Sequence, residues 1–252
     1  RPLKDGKRAP MIVDFDGLTY VMGTVGFNEM AQVHVGSEMH ESKDAVKFNL
    51  RTIFEMEKYR RELEEEHGMT LSLARTPAET AAQRLALSDL LNPAYGEKAR
   101  KVVKGDVDRG LKIAAQGKRD VPMYYTNGTH VNVAAPVSLW DRIKIEEKFF
   151  PLMSGGNMLH IWLGEASSNE AALYDMTKKI ATQSQIGYFA YTKDLTICPD
   201  CNHVVTGVRK NCERCGSQQV KWWSRVTGYY QDESEWNEAK KQEFKDRYRY
   251  VV

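Results

Sequence analysis

The chain has 252 residues, a formal charge of +2 from 36 basic and 34 acidic side chains, and 42% apolar content. That is enough apolar residue for a sizeable buried core, and no stretch is long and apolar enough to cross a bilayer. The near-neutral balance gives no electrostatic reason to expect nucleic acid or a membrane surface as partner.

In chain order, RPLKDGKRAP is basic and turn-rich and reads as an approach segment. MIVDFDGLTYVMGTVGFNEM predicts a strand that runs into a close-packed turn near Gly23 and Gly26. A long helix is expected from Ser42 to His67, with Val46, Leu50, Ile53 and Phe54 as its inner stripe and Gly68 closing it. MTLSLAR predicts an alternating strand, and TPAETAAQRLALSDLL a second helix. Its entry reads as a capping box, with Thr76 at the N-cap, Pro77 first and Glu79 third.

The polar stretch from Asn92 to Asp120 has helical patches and reads as exposed. VPMYYTNGTHVNV predicts two strand pieces around Asn127-Gly128, with Asn127 and His130 as hydrogen-bonded structural residues. LWDRIKIEEKFFPL is a short helix or an edge segment. SGGNMLHIWLGE is a Gly-Gly turn into a buried strand, with His160 a core histidine. SNEAALYDMTKKIATQ is a helix, and GYFAYTKDLTI a strand leading to the cysteines. Alternating helices and doubly apolar strands favour an α/β fold with a covered, partly parallel sheet.

All four cysteines fall in CPDCNHVVTGVRKNCERCG, as Cys198, Cys201, Cys212 and Cys215. Two C-x-x-C knuckles ten residues apart bring four thiolates to one point, which matches tetrahedral zinc, with an iron–sulfur cluster as the other option. Four protein ligands leave no open position, so the metal is expected to hold structure, with His203 a bystander. No cysteine is left for a distant disulfide, which suits a reducing cytoplasm. The chain starts at Arg1 and reads as a processed or partial polypeptide.

SRVTGYY follows the cysteines, and Gly228 within it has two readings. It supplies a positive φ in a turn, as many glycines do. Alternatively it carries an unpaired electron in a buried loop, because a planar backbone radical tolerates no Cβ. Trp222 and Trp223 are expected to pack this loop.

RVTGYY, preceded by four cysteines and followed by WNEAKKQEFKDRYRY, closely resembles the C-terminus of the anaerobic (class III) ribonucleotide reductases, which are glycyl-radical enzymes. The matching positions are Arg225, Val226, Gly228 and Tyr229, then Asn237, Lys240 and Glu243. GTVGFNEM, TPAETAAQRLA, YYTNGTHVNV and FPLMSGGNMLHIWLGE look like segments of the same family's barrel, in the family's order.

The resemblance implies that residues 1–190 form part of a ten-stranded α/β barrel, 191–220 a zinc site, and 221–252 the radical loop and tail. It implies that Gly228 stores a radical installed by an activase using S-adenosylmethionine and an iron–sulfur cluster, and that ribonucleoside triphosphates are reduced to deoxyribonucleotides. The thiyl cysteine of such enzymes has no counterpart here and would come from an N-terminal part, on the same or a separate chain. A cytoplasmic homo-oligomer is expected, inactive as this chain alone. For the substrate's phosphates the expected contact is the start of the second helix, at Thr76, Ala78, Glu79 and Thr80. Gly155 and Gly156 permit a turn or a close backbone approach. Other readings are a different glycyl-radical enzyme, a radical spare-part protein, or a non-enzymatic zinc-ribbon binding module.

Overall fold

The computed structural model describes residues 17–164, 169–226 and 228–251, so the basic opening segment and Thr227 lie outside the described residues. β1 (Thr19–Thr24) is followed by α1 (Phe27–Val35) and α2 (Lys43–His67), which lead to β2 (Thr70–Arg75). β1 and β2 pair in parallel, from Thr19 opposite Thr70 to Thr24 opposite Arg75. Gly26, at φ 79°, allows the reversal from β1 into α1. Ser42 Oγ accepts from Asp44 N at 3.1 Å to start α2, and Gly68 ends it in the left-handed conformation.

The expected inner stripe of α2 holds for Val46 and Ile53, but Phe54 is 61% exposed. Position 54 lies about 100° around the helix from Ile53, off the face that carries Val46, Asn49 and Ile53. β2 is not half-buried either: Leu71 through Arg75 are all buried. β1 covers one edge, and the backbone at Gly155 and Gly156 covers the other, with Gly155 N donating to Leu73 O at 2.7 Å. A Cβ on Gly155 would meet Ser72 Oγ at 2.5 Å, so the close approach that glycine permits here is to β2.

The chain continues through α3 (Ala81–Leu91), α4 (Gly96–Val102), β3 (Lys104–Gly105), α5 (Val107–Ala114) and β4 (Met123–Tyr124). The capping box does not form, and α3 starts only after Thr80, with no side-chain cap bond. Thr76 is packed so closely on Gly23 of β1 that a Cβ on that glycine would sit 1.9 Å from Thr76 Oγ1. Ala78 then takes φ 50° before the helix begins, an uncommon conformation for a residue with a Cβ.

Of the two strand pieces expected around Asn127-Gly128, only β4 forms. Residues 127–133 wrap the Arg75 side chain instead, with Thr129 Oγ1 accepting from Arg75 and Val131 N donating to Glu146, and Asn127 makes an isolated bridge to Val25. α6 (Leu139–Glu146) runs on into a 3-10 turn, Glu147–Leu152. β5 (Leu159–Leu163), α7 (Glu170–Gln183) and β6 (Phe189–Lys193) make a second parallel β-α-β unit. Its core gathers Leu159, Ile161 and Leu163 with Ile143, Ile180 and Ile186.

The strand expected in GYFAYTKDLTI is broken at Asp194, and its second part, β7 (Leu195–Ile197), belongs to another sheet. With β8 (Val204–Thr206), β9 (Lys221–Arg225) and β10 (Tyr230–Asp232) it forms an antiparallel sheet in the order β10-β9-β7-β8. α8 (Glu238–Asp246) follows, and the tail returns to the β5–β6 sheet, where Gly164 N donates to Tyr250 O at 2.7 Å. The described residues are thus α/β in architecture, with an antiparallel ribbon attached.

Candidate functional site

The two C-x-x-C knuckles share one local geometry. Asn202 N donates to Cys198 O and Gly216 N to Cys212 O, both at 2.9 Å. Cys198 N donates to His203 O at 2.9 Å, and Cys212 N to Ser217 O at 2.8 Å. The residue after each second cysteine is left-handed, Asn202 at φ 56° and Gly216 at φ 74°. The four Sγ atoms lie within 4.8 Å of one another, with Cys198–Cys215 and Cys201–Cys212 at 3.6 Å, and all four are free thiols. A tetrahedral metal bonded to sulfur at about 2.3 Å needs sulfurs about 3.8 Å apart. The donor set therefore fits a single metal ion such as zinc, and is too tight to surround a cluster of several irons. His203 takes part through its backbone, its carbonyl accepting from Cys198 N and its amide bonding to the Cys201 sulfur.

β9 and β10 bring the chain from this centre to Gly228. Arg225 pairs with Tyr230 at the hairpin end, and Val226 N donates to Tyr229 O at 3.1 Å. Val226 is anchored beside Trp236 and Phe244, with Trp222 packed against them. Trp222 Nε1 also donates to Arg209 O at 2.7 Å, so it packs the loop as expected. Gly228 itself is exposed rather than buried. Among the described residues, no atom beyond its chain neighbours lies within 4 Å of where its Cβ would stand. Packing among the described residues does not call for glycine there.

Gly228 borders a cavity of about 140 Å³ whose walls come from five separated stretches of chain, its own among them. Arg75, Thr76 and Pro77 follow β2, Asn127 and His130 come from the wrapped loop, and His160 and Trp162 stand on β5. Glu243 and Arg247 come from α8 and the residue after it. Behind the wall, Glu146 is fully buried and takes Arg75 Nη1 and Arg142 Nε at 2.9 Å, with His130 Nδ1 at the same distance. Burial opposes its charge, but His130, Arg142 and Arg75 outweigh it and hold the carboxyl well below the usual carboxylate range.

Burial pulls Arg75 down to about 10 and His130 down to about 4, the latter helped by the neighbouring Arg75 charge. His160 is likewise pushed well down, by burial first and then by His130 and nearby arginines. It stacks parallel to Trp162 at 6.0 Å, and the Trp162 ring lies 4.9 Å from both Arg142 and Arg247. The cavity thus presents neutral imidazoles beside permanent cations.

α8 stitches these walls together. Lys240 Nζ reaches Asn127 Oδ1 at 3.4 Å and Glu243 Oε2 at 2.5 Å. Glu243 holds Arg247, which reaches Ser224 Oγ on β9 at 3.3 Å. Lys240 and Glu243 are therefore structural ties between the cavity and the Gly228 hairpin, while Asn237 ties α8 to the Glu79 carbonyl.

Among the residues expected to meet phosphate, Thr76 stands in the cavity wall and Ala78 is buried beneath it. Glu79 offers its carbonyl to Asn237, and Thr80 is exposed at the start of α3. Sequence reasoning treated Asn127, His130 and His160 as structural, and the fold places all three at the cavity with Gly228. It missed Arg75, Arg142 and Glu146 altogether. The four-residue spacing of Arg142 and Glu146 on α6 was the available signal.

A family model described as anaerobic ribonucleoside-triphosphate reductase matches residues 6–250. The Escherichia coli (strain K12) protein of that name is 25% identical over 242 residues, 91% of this chain and 31% of that protein. The Haemophilus influenzae protein is 26% identical over 197 residues, 75% of this chain and 25% of that one. A solved anaerobic ribonucleotide reductase aligns with TM-score 0.70 at 25% identity, covering 92% of this chain and 34% of that one. The Thermotoga maritima structure with glycerol in its active site shares the fold, with TM-score 0.65 at 22% identity over 89% of this chain and 32% of that one. This chain spans about a third of the length of the relatives it matches. By the match over residues 6–250, the chain belongs to the anaerobic ribonucleoside-triphosphate reductase family.

Proposed function

We propose that the chain is the C-terminal catalytic portion of an oxygen-sensitive ribonucleotide reductase that converts ribonucleoside triphosphates to deoxyribonucleoside triphosphates. Gly228 stores a glycyl radical, installed by a partner activase that uses S-adenosylmethionine and an iron–sulfur cluster. The observation that carries this reading is that Gly228, with no described side chain or backbone beyond its chain neighbours within 4 Å of its Cβ position, stands at the rim of a cavity lined by Arg75, His130, His160 and Glu243.

In this reading residues 1–190 are part of a ten-stranded α/β barrel, 191–220 the zinc site and 221–252 the radical loop and tail. The parallel pairs β1–β2 and β5–β6 support it. Zinc held by Cys198, Cys201, Cys212 and Cys215 fixes the sheet that carries the Gly228 hairpin. The N-terminal part of the reductase brings the thiyl cysteine to the cavity, and the assembly works as a cytoplasmic homo-oligomer. The loop of Thr76, Ala78, Glu79 and Thr80 takes the substrate's phosphates, with the positive end of α3 behind it.

Anaerobic treatment with the cognate activase and S-adenosylmethionine, with the N-terminal part present, then brief exposure to air, tests this by intact mass. Backbone cleavage at Gly228 is the expected result, because oxygen attacks a glycyl radical. An unchanged mass would overturn the proposal.

A further inference from the structure

Arg225 lies three residues before Gly228, at the last paired position of the β9–β10 hairpin, opposite Tyr230. The hairpin folds the arginine back over its own loop. Its guanidinium stands 5.4 Å over the Tyr230 ring, and Nη1 donates to the Gly228 carbonyl oxygen at 2.6 Å. A carbonyl in an exposed loop would find water without help, so an arginine held against it by an aromatic ring is a specific arrangement.

We propose that Arg225 is a positioning residue that stabilises the unpaired electron on Gly228 by withdrawing charge through this carbonyl. The inference rests on the radical role proposed above. A backbone Cα radical is shared between the donating amide nitrogen and the withdrawing carbonyl of the same residue. A cation hydrogen-bonded to the oxygen strengthens the withdrawing side. It also fixes the peptide plane in which that sharing operates. The bond tightens as electron density moves onto oxygen, so it favours the radical over its parent glycine, and no further reactant is needed. The arginine side chain is already held before the radical forms, so little ordering is left to offset the gain.

The test compares wild type, Arg225→Gln and Arg225→Lys, each activated anaerobically with the N-terminal part present and with glycine labelled with carbon-13 at the carbonyl. Electron paramagnetic resonance then reads the anaerobic half-life of the radical and its carbonyl hyperfine coupling. Both are properties of radical already formed, so a weaker encounter with the activase does not alter them. Arg225→Gln is expected to shorten the half-life about tenfold, in line with loss of a charged hydrogen bond, and to change the coupling. Arg225→Lys, which keeps the charge, falls between the two and covers the case in which the glutamine variant does not fold. Metal content and protease resistance establish folding for each. Variants whose half-life and coupling equal those of wild type would overturn the role of Arg225 and leave the radical assignment standing. Absence of any Gly228 radical in wild type would overturn both.

Discussion

Asn237 ties the start of α8 to a loop 158 residues earlier: its Nδ2 donates to the Glu79 carbonyl at 2.8 Å while its Oδ1 accepts from Lys240 N at the same distance. One side chain is at once a helix cap and a cross-link to the loop behind Thr76. Asn237→Ala removes both bonds and is expected to cost about 1–2 kcal/mol. Asn237→Asp keeps the cap but sets a carboxylate against the carbonyl, so it recovers only part of that loss. Urea unfolding of the three proteins measures the order.

Gly228→Ala is expected to leave stability almost unchanged, since among the described residues its Cβ meets nothing within 4 Å beyond its chain neighbours. The radical signal should vanish. Thermal unfolding and electron paramagnetic resonance together decide this, and a collapse of the fold would restore glycine to a structural role.

Glu146 is the carboxylate between two buried guanidiniums, Arg75 and Arg142. Glu146→Gln leaves both without a counter-charge and is expected to destabilise by about 3–5 kcal/mol. Denaturant titration checks the size. A change below about 1 kcal/mol would mean that water reaches the cluster freely.

His130 is neutral in the fold, with its value lowered from 6.5 to about 4, and charges on unfolding. Between those values the unfolded chain binds more protons. The stability tied to His130 is therefore complete above pH 6.5 and is lost as pH falls towards 4, by at most about 3 kcal/mol. His130→Gln should flatten the profile across that window. Unfolding free energies at pH 7, 5.5 and 4 for both proteins give the comparison.

Cys198→Ser is expected to release the bound metal and expose the β7–β10 sheet to protease, because a structural four-thiolate site couples metal binding to folding. Metal analysis and limited proteolysis follow the two effects. Retention of both metal and resistance would show that three ligands suffice.

The two expected phosphate contacts that differ most, Thr76 and Thr80, show why half of the site was hard to read. Thr76 has the sequence of an N-cap, yet its hydroxyl is packed against Gly23, a neighbour only through the β1–β2 pairing. Thr80, the fourth residue of the nominal helix, is where α3 begins. The cysteines were legible, since their two knuckles are tight local motifs. Arg75 and Glu146 were not, because either one alone reads as an ordinary surface charge.

Contacts between near neighbours in the chain were readable in advance: Ser42 and Gly68 bounding α2, and the paired knuckles of the metal centre. These depend on backbone geometry over a few residues, which side-chain type dictates directly. The path of residues 127–133, the true start of α3 and the buried charges behind the cavity depended on the assembled fold. Each is fixed by groups such as Arg75 and Glu146, 71 residues apart, whose burial makes pairing obligatory once packing has brought them together.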